Sequence, residues 1–278
     1  MKKTNIQYLT HTWNPIAMRC TPVSAGCQNC WHLRMTNRMK ANPVLKMGKM
    51  LAYMPSGRPY LDRTKMDEPL RMKMPGRIGV QFMGDLFYDS IPDGWIDEIF
   101  DVCQLAPQHK FFILTKRPAR MRQAILRQKK AYVNLCNMWF GVSVEDQNTA
   151  DERIPYLMNT GNINRWISAE PMLGVVDLTH MNVLQTHQGR YPFPYLEEKY
   201  RSKVIDYIDW VVCGAETGPK KRPMKWVWAK SLANQCKNAN VPFFFKEPWG
   251  NAPYDLLHRE YPDWCDCDSC KEFRAKIR

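Results

Sequence analysis

The chain alternates short apolar runs, rich in β-branched and aromatic residues, with longer amphipathic segments. The apolar runs are typical of strands and lie at residues 6–10, 79–83, 110–115, 139–143, 165–168, 209–213 and 242–245, the first being the weakest. Helical periodicity occurs between them, at residues 92–105, 118–132 and 226–240. This alternation favours βαβ units, so we expect an α/β fold with a parallel sheet.

Ionisable residues follow nearly every predicted strand directly. They are Asp85, Lys116, Arg117, Glu145, Asp146, Glu170, Glu216, Lys246 and Glu247. Parallel strands bring their carboxyl ends to one face, which is where the active sites of barrels lie. The pattern therefore favours a barrel over a doubly wound sheet and predicts one shared mouth, although ordinary polar loops would also supply such residues.

Composition narrows the class of protein. The 278 residues are 45 % hydrophobic, enough for one large α/β domain, which we prefer to two small ones. Lys and Arg number 40 against 27 Asp and Glu, a net charge of +13 that suggests a polyanionic partner, nucleic acid first, or solubility alone. No apolar run approaches the roughly 18 residues of a membrane span, and no apolar N-terminal signal is evident, so we expect a cytoplasmic protein.

Three cysteines lie within eleven residues near the N-terminal end, at Cys20, Cys27 and Cys30, with small and turn-forming residues between them. Three thiolates on one short loop repel each other unless a cation holds them, which predicts a metal centre. Two kinds of metal centre fit this pattern. Zinc would need a fourth ligand such as His32 or His11, whereas a [4Fe–4S] cluster on three cysteines leaves one iron for a small molecule.

A second group, Cys265, Cys267 and Cys270, lies near the C-terminal end, and His258 precedes it. It predicts a second metal site, either zinc or an auxiliary iron–sulfur cluster, unless the tail is simply disordered. The remaining interior cysteines sit singly in apolar or helical contexts and are expected to be buried packing residues. They are Cys103, Cys136, Cys213 and Cys236.

Residues 34–77 form a basic, methionine-rich insertion with Tyr53 and Tyr60. This composition suits a lid or a nucleic-acid groove with aromatic platforms, although core packing beneath a solvated basic face is the commoner outcome. We therefore expect an α/β barrel over residues 1–250 with this insertion, followed by a cysteine-rich extension over residues 251–278.

Several motifs together resemble a known family. They are residues 12–15 (TWNP), 83–87 (MGDLF), 114–118 (LTKRP), 141–146 (GVSVED), 150–154 (ADERI), 170–174 (EPMLG) and 213–218 (CGAETG). With the cysteine loop after the first strand, the chain resembles the radical S-adenosylmethionine (SAM) superfamily and its partial (β/α)6 barrel. It most closely resembles a phage-associated family named for a three-cysteine motif. The spacing of the loop differs from the common radical SAM pattern, with six residues rather than three between the first two cysteines.

The resemblance implies how a cofactor would be held. Cys20, Cys27 and Cys30 would bind a [4Fe–4S] cluster, whose open iron would take the amine and carboxylate of SAM. Gly84 and Asp85 would meet the SAM amine, Lys116 or Arg117 the SAM carboxylate, and Glu145, with its neighbour Asp146, the ribose hydroxyls.

The resemblance also implies a reaction class. Cleaved SAM would yield a 5′-deoxyadenosyl radical that abstracts hydrogen from substrate, with Glu170, Glu216 and Lys246 holding substrate or moving protons. Phage association and the basic charge favour a nucleobase, nucleotide or nucleic-acid substrate, as in DNA base modification or repair. An electron donor such as flavodoxin or ferredoxin would be a partner, in the host cytoplasm if the protein is phage-encoded. The alternative is a non-catalytic, zinc-stabilised nucleic-acid-binding protein.

Overall fold

The computed structural model describes residues 1–130, 135–179, 203–246, 253 and 256–262. The chain divides into two compact units, with the boundary between Phe140 and Gly141. Both units are mixed α/β. None of the helices within the described ranges is both long and apolar enough to cross a membrane.

The first unit is built on a short, mostly parallel set of strands. Strands β1 (Lys2–Lys3) and β2 (His11–Trp13) pair antiparallel, and β2 then pairs parallel with β5 (Arg77–Val80), which pairs parallel with β6 (Lys110–Thr115). Helix α4 (Asp93–Gln104) connects β5 to β6, and α5 (Pro118–Lys130) follows β6. The predicted βαβ arrangement is therefore present.

The basic insertion folds into small elements around a core of its own. They are α1 (Trp31–Met39), which begins just before the insertion, α2 (Met47–Ala52), β4 (Tyr60–Leu61) and α3 (Glu68–Arg71), and β3 (Ile16–Ala17), from before the cysteine loop, packs with them. Strands β3 and β4 pair antiparallel, and Ala17, Ala52 and Tyr53 pack together beneath Tyr60. Tyr53 therefore belongs to this core, and several apolar side chains of the insertion face solvent. The exposed ones are Val44, Met47, Leu51, Met54, Leu70 and Met74.

The second unit repeats the parallel arrangement. Strand β7 (Met138–Ser143) runs into this unit, where β8 (Asn164–Ala169), β9 (Trp210–Gly214) and β10 (Phe243–Lys246) pair in that order, all parallel. Helix α6 (Gln147–Met158) follows β7, and α7 (Trp226–Asn238) connects β9 to β10. The carboxyl ends of β8, β9 and β10 therefore lie at one edge of this unit.

Most predicted elements are found within a few residues of their expected positions, and one prediction is wrong. Residues 6–10 do not form a strand. The amide of Leu9 donates to the carbonyl of Ile6 at 2.9 Å, closing a turn between β1 and β2, and the strand begins at His11 instead. Cys103, Cys213 and Cys236 are buried as expected, whereas Cys136 is only partly buried.

Candidate functional site

The first candidate site is the cysteine loop, residues 18–30, between β3 and α1. Cys27 ends a 3-10 turn and Cys30 occupies the N-cap position of α1. All three thiols, including Cys20, are free and partly buried. The three cysteines of the loop therefore stay partly accessible, unlike the buried Cys103 of the same unit.

Arg117, just after β6, ties this loop to the end of the parallel strands. Its Nη2 atom donates to the carbonyl oxygen of Thr21 at 3.0 Å and to the Thr21 hydroxyl at 3.1 Å. Its Nη1 atom lies 3.4 Å from a carboxylate oxygen of Asp85, and its guanidinium lies 5.0 Å from the ring centroid of Tyr88. One guanidinium thus spans the cysteine loop and the segment that follows β5.

Asp85 is buried, with 5 % of its surface exposed, and its carboxylate accepts several hydrogen bonds. The Thr115 hydroxyl donates to its two oxygens at 2.7 and 2.8 Å, the amide of Lys116 donates at 3.1 Å, and the amide of Phe87 at 2.9 Å. A carboxylate offers about four lone-pair positions. In this structure Asp85 therefore holds the ends of β5 and β6 together, and an incoming ammonium would have to displace one of these partners.

Gly84 lets the segment after β5 pass close to Met18, at the start of the cysteine loop. Its φ is +125°, a conformation that side chains strongly disfavour. A Cβ atom there would lie 2.6 Å from the sulfur of Met18, two residues before Cys20. The glycine is thus required by both its backbone and its contact.

The environment shifts the pKa values of Cys20 and Cys27 in opposite directions. Burial, followed by the negative charge of Asp85, raises the pKa of Cys20 to about 12. Burial alone would also raise the pKa of Cys27. The positive charge of Lys116, with hydrogen bonds from Val23 and Ser24, outweighs that effect and brings the pKa below its ordinary value. Cys27 therefore ionises more readily than Cys20.

The donor types suit a soft metal centre, and the thiols lie close enough that charge on Cys30 and Cys27 raises the pKa of Cys20. Within the described ranges, however, no three His, Cys, Asp or Glu side chains are arranged as a group that could hold a metal ion. Binding one ion or cluster would therefore draw the three sulfur atoms closer together. The second predicted group, Cys265, Cys267 and Cys270, lies outside the described residues, and His258 is exposed.

The two histidines considered as fourth ligands differ sharply. His32, on α1, is only 3 % exposed, and neither ring nitrogen has a hydrogen-bond partner. Burial lowers the pKa of His32 to about 4. His11 lies on β2, where its Nδ1 atom is 3.0 Å from the hydroxyl of Thr10. Only His32 combines proximity in sequence to Cys30 with unsatisfied nitrogens.

The second candidate site is the edge where the strands of the second unit end. Glu170, after β8, pairs with Lys246 at the end of β10 at 2.9 Å, and its other oxygen accepts from the Ser168 hydroxyl at 3.2 Å. Gly214, the last residue of β9, makes room for this carboxylate, because a Cβ atom there would lie 2.7 Å from Glu170 Oε1. Glu170 and Lys246, both expected at strand ends, therefore form an ion pair across this edge.

Two further carboxylates at this edge pair with arginines. Glu145, fully buried, lies 3.4 Å from Arg153 of α6, which also donates to the Ser143 carbonyl at 2.7 Å. Glu216 accepts three hydrogen bonds from Arg222: from the amide at 2.7 Å, from Nε at 2.9 Å and from Nη2 at 2.5 Å. These bonds to Glu216, together with the charges of Glu216 and Glu145, raise the pKa of Arg222.

Sequence reasoning missed the partners of these carboxylates. Thr115 lies inside a predicted strand, where a polar side chain carries no special signal, and Arg153 lies on α6, a helix that was not predicted from the sequence. Arg222 lies six residues after Glu216 in a run of basic residues, which was the only available hint. Asp146, expected at a ribose, caps α6 by accepting from the amide of Thr149 at 2.9 Å. Glu247 lies outside the described residues.

The protein is thus of the mixed α/β class, with polar side chains at the ends of its parallel strands and a cysteine loop beside the strands of the first unit. A family model described as "Protein of unknown function (DUF5131)" matches residues 3–263, so the chain belongs to that family. No match was found among curated proteins or among solved structures.

Proposed function

We propose that this protein is a radical SAM enzyme that acts on a nucleobase, nucleotide or nucleic acid, with Cys20, Cys27 and Cys30 holding a [4Fe–4S] cluster. The observation that carries the proposal is the link that Arg117, just after β6, makes between Thr21 of the cysteine loop and Asp85, since active sites lie at the carboxyl ends of parallel strands. The order of strands and helices supports a partial (β/α)6 barrel of the radical SAM type.

When bound, the cluster and SAM would supply a 5′-deoxyadenosyl radical able to take hydrogen from an unreactive carbon. The chain's own residues would bind and orient these groups. Lys116 favours the ionised form of Cys27, which a thiolate ligand requires, and we assign it to the SAM carboxylate. Arg117 is already engaged by Thr21 and Asp85, so we assign it to positioning the loop.

The polar edge of the second unit would serve the substrate. Glu170 and Lys246 form an ion pair that is only partly shielded, with side-chain exposures of 15 % and 28 %. Such a pair can exchange its internal contact for hydrogen bonds to a nucleobase edge. Glu216 is 5 % exposed and committed to Arg222, so it would act by placing that arginine. Glu145 is enclosed with Arg153, and a ribose contact would require that pair to open.

Metal content of anaerobically prepared protein tests the proposal. In a background with Cys265, Cys267 and Cys270 changed to Ser, reconstitution with iron and sulfide should give about four irons per chain and a brown protein. Cys27→Ser should lose the iron, whereas the matched control Cys136→Ser should keep it. With a strong reductant and SAM, 5′-deoxyadenosine and methionine should form. If the chain with these three C-terminal cysteines changed to Ser stayed colourless and took up no iron, the proposed function would be refuted.

A non-catalytic, zinc-stabilised nucleic-acid-binding protein is the second candidate. Buried His32 favours it, because both ring nitrogens lack a hydrogen-bond partner two residues after Cys30. One zinc per chain, lost in both Cys27→Ser and His32→Gln, with no cleavage of SAM, would establish this function in place of the first.

A further inference from the structure

The segment that leads from β9 into the first turn of α7, residues 217–230, is strongly basic. It contains five Lys or Arg and no Asp or Glu. Lys220, Lys221 and Lys225 are exposed, and Arg222 is partly exposed. A run of one charge on a surface raises the local concentration of polyanions and, by repulsion, would tend to spread and loosen an unanchored loop.

This basic segment is anchored at both ends. At its start, Arg222 is held by three hydrogen bonds to Glu216, directly after β9. At its end, Trp226 begins α7 and packs edge-on against Phe245 of β10, with ring centroids 6.1 Å apart. Lys220 and Lys221 lie in the loop that the contact between Glu216 and Arg222 closes, and Lys225 lies between Arg222 and Trp226. All three lysines are therefore carried on a fixed support, which lowers the entropy lost on binding a partner.

Aromatic and apolar surface lies among the lysines. Trp228 is partly exposed, and the ammonium of Lys225 lies 5.5 Å from its ring centroid. Val227, beside it, is 66 % exposed. Lysines that neutralise phosphates beside an aromatic ring on which a base can stack are the features that single-stranded nucleic acids require. A duplex hides the faces of its bases, and an acidic peptide has no flat ring system to place on the indole.

We propose that residues 217–230 bind single-stranded nucleic acid, with Lys220, Lys221 and Lys225 at successive phosphates and Trp228 beneath a base. This inference rests on the proposed function and extends it, because it makes the substrate a polymer rather than a free nucleotide. Glu216 contributes indirectly, since its hydrogen bonds to Arg222 hold the segment in place.

Fluorescence anisotropy on the full-length chain tests this inference. Labelled single-stranded DNA, single-stranded RNA and duplex DNA are titrated over a range of salt concentrations. The triple variant Lys220→Gln, Lys221→Gln, Lys225→Gln should bind single strands on the order of 100-fold more weakly at 0.1 M salt, and its salt slope should fall by about 2, or about 0.7 for each lost phosphate contact. Trp228→Ala should weaken binding with the slope unchanged.

The matched control is Lys2→Gln, Lys3→Gln, Lys237→Gln, which removes the same charge from three exposed positions elsewhere. It should bind like the unchanged chain. Equal losses in both triple variants, a preference for duplex, or no binding of single strands would each overturn the inference. Binding is measured before and after reconstitution with iron and sulfide, so a chain that takes up no iron yet binds through these lysines would refute the proposed function alone.

Discussion

Arg117 donates from Nη2 to both oxygens of Thr21, the carbonyl at 3.0 Å and the hydroxyl at 3.1 Å. Thr21 directly follows Cys20, so this fork holds the first thiol of the cysteine loop against the end of β6. Lysine keeps the charge at this position but has a single nitrogen, so it cannot reach Thr21 and Asp85 as the two guanidinium nitrogens do.

Arg117→Lys should therefore loosen the loop and expose Cys20. With two hydrogen bonds lost, each contributing about 0.5–1.5 kcal/mol, alkylation of Cys20 by iodoacetamide should become about tenfold faster. Peptide mass spectrometry on the metal-free chain gives the rate. Arg127→Lys is the control, because that arginine pairs with Asp97 instead. An unchanged Cys20 rate would show that the fork does not restrain the loop.

Lys116 should control the ionisation of Cys27. Its positive charge helps to bring the pKa of that thiol below the ordinary value. Removing the charge in Lys116→Gln should raise the pKa, so the pH profile of Cys27 alkylation should move to higher pH. In the unchanged chain Cys20, with a pKa of about 12, should react far more slowly at neutral pH. The exposed Lys73→Gln serves as control, and an unshifted profile in Lys116→Gln would contradict this role.

The sequence was informative where the signal is local. Runs of β-branched and aromatic residues predicted most strands. The ionisable residues that follow these runs, Asp85, Glu170 and Glu216, were expected near the strand ends, because a residue that directly follows a parallel strand must lie at its carboxyl end. Residues 6–10 misled because Ile6 and Leu9 are apolar yet close a turn, while the strand itself, His11–Trp13, is too short to show a period. The partners of the carboxylates depend on long-range packing, which no local pattern records.

Asp62 should make stability depend on pH. Burial alone would raise its pKa, but hydrogen bonds from Lys49, at 2.7 Å, and Thr64 lower it to about 2. A depressed carboxyl pKa stabilises the fold above the unfolded value of 3.8, and the effect is lost as pH falls towards 2. Asp62→Asn should cost about 2 kcal/mol at pH 7, measured by urea unfolding.

The cost of Asp62→Asn should shrink below about pH 4 and be mostly lost near pH 2, where Asp62 is half protonated in the folded chain, and it should vanish at still lower pH. The exposed Asp89→Asn should leave stability nearly unchanged over the same range. A cost that stayed constant with pH would mean that Asp62 stabilises by shape and not by charge.

The effects of changing Glu216 and Arg222 on the free energy of unfolding should be strongly coupled. Two of their three hydrogen bonds join the charged groups, at 2.9 and 2.5 Å, and the carboxylate is largely buried. A double-mutant cycle with Glu216→Gln and Arg222→Gln should give a coupling of about 1–3 kcal/mol. The third bond, from the Arg222 amide, can persist in Glu216→Gln, so that variant should remain folded. Additive effects would show that the pair contributes little beyond its separate contacts.

Gly214 should be required for the pair between Glu170 and Lys246. A Cβ atom there would lie 2.7 Å from Glu170 Oε1 and 3.2 Å from its Cγ and Cδ atoms, so Gly214→Ala must push that side chain away from Lys246. We expect a loss of about 1–2 kcal/mol on urea unfolding, from strain and from the displaced ion pair. Gly94→Ala is the matched control, because no atom lies within 4 Å of the added carbon and alanine favours α4. Adding Glu170→Asp, which shortens the side chain, should recover the steric part of the loss. If Gly214→Ala were as stable as Gly94→Ala, the carboxylate would have to tolerate another position at this edge.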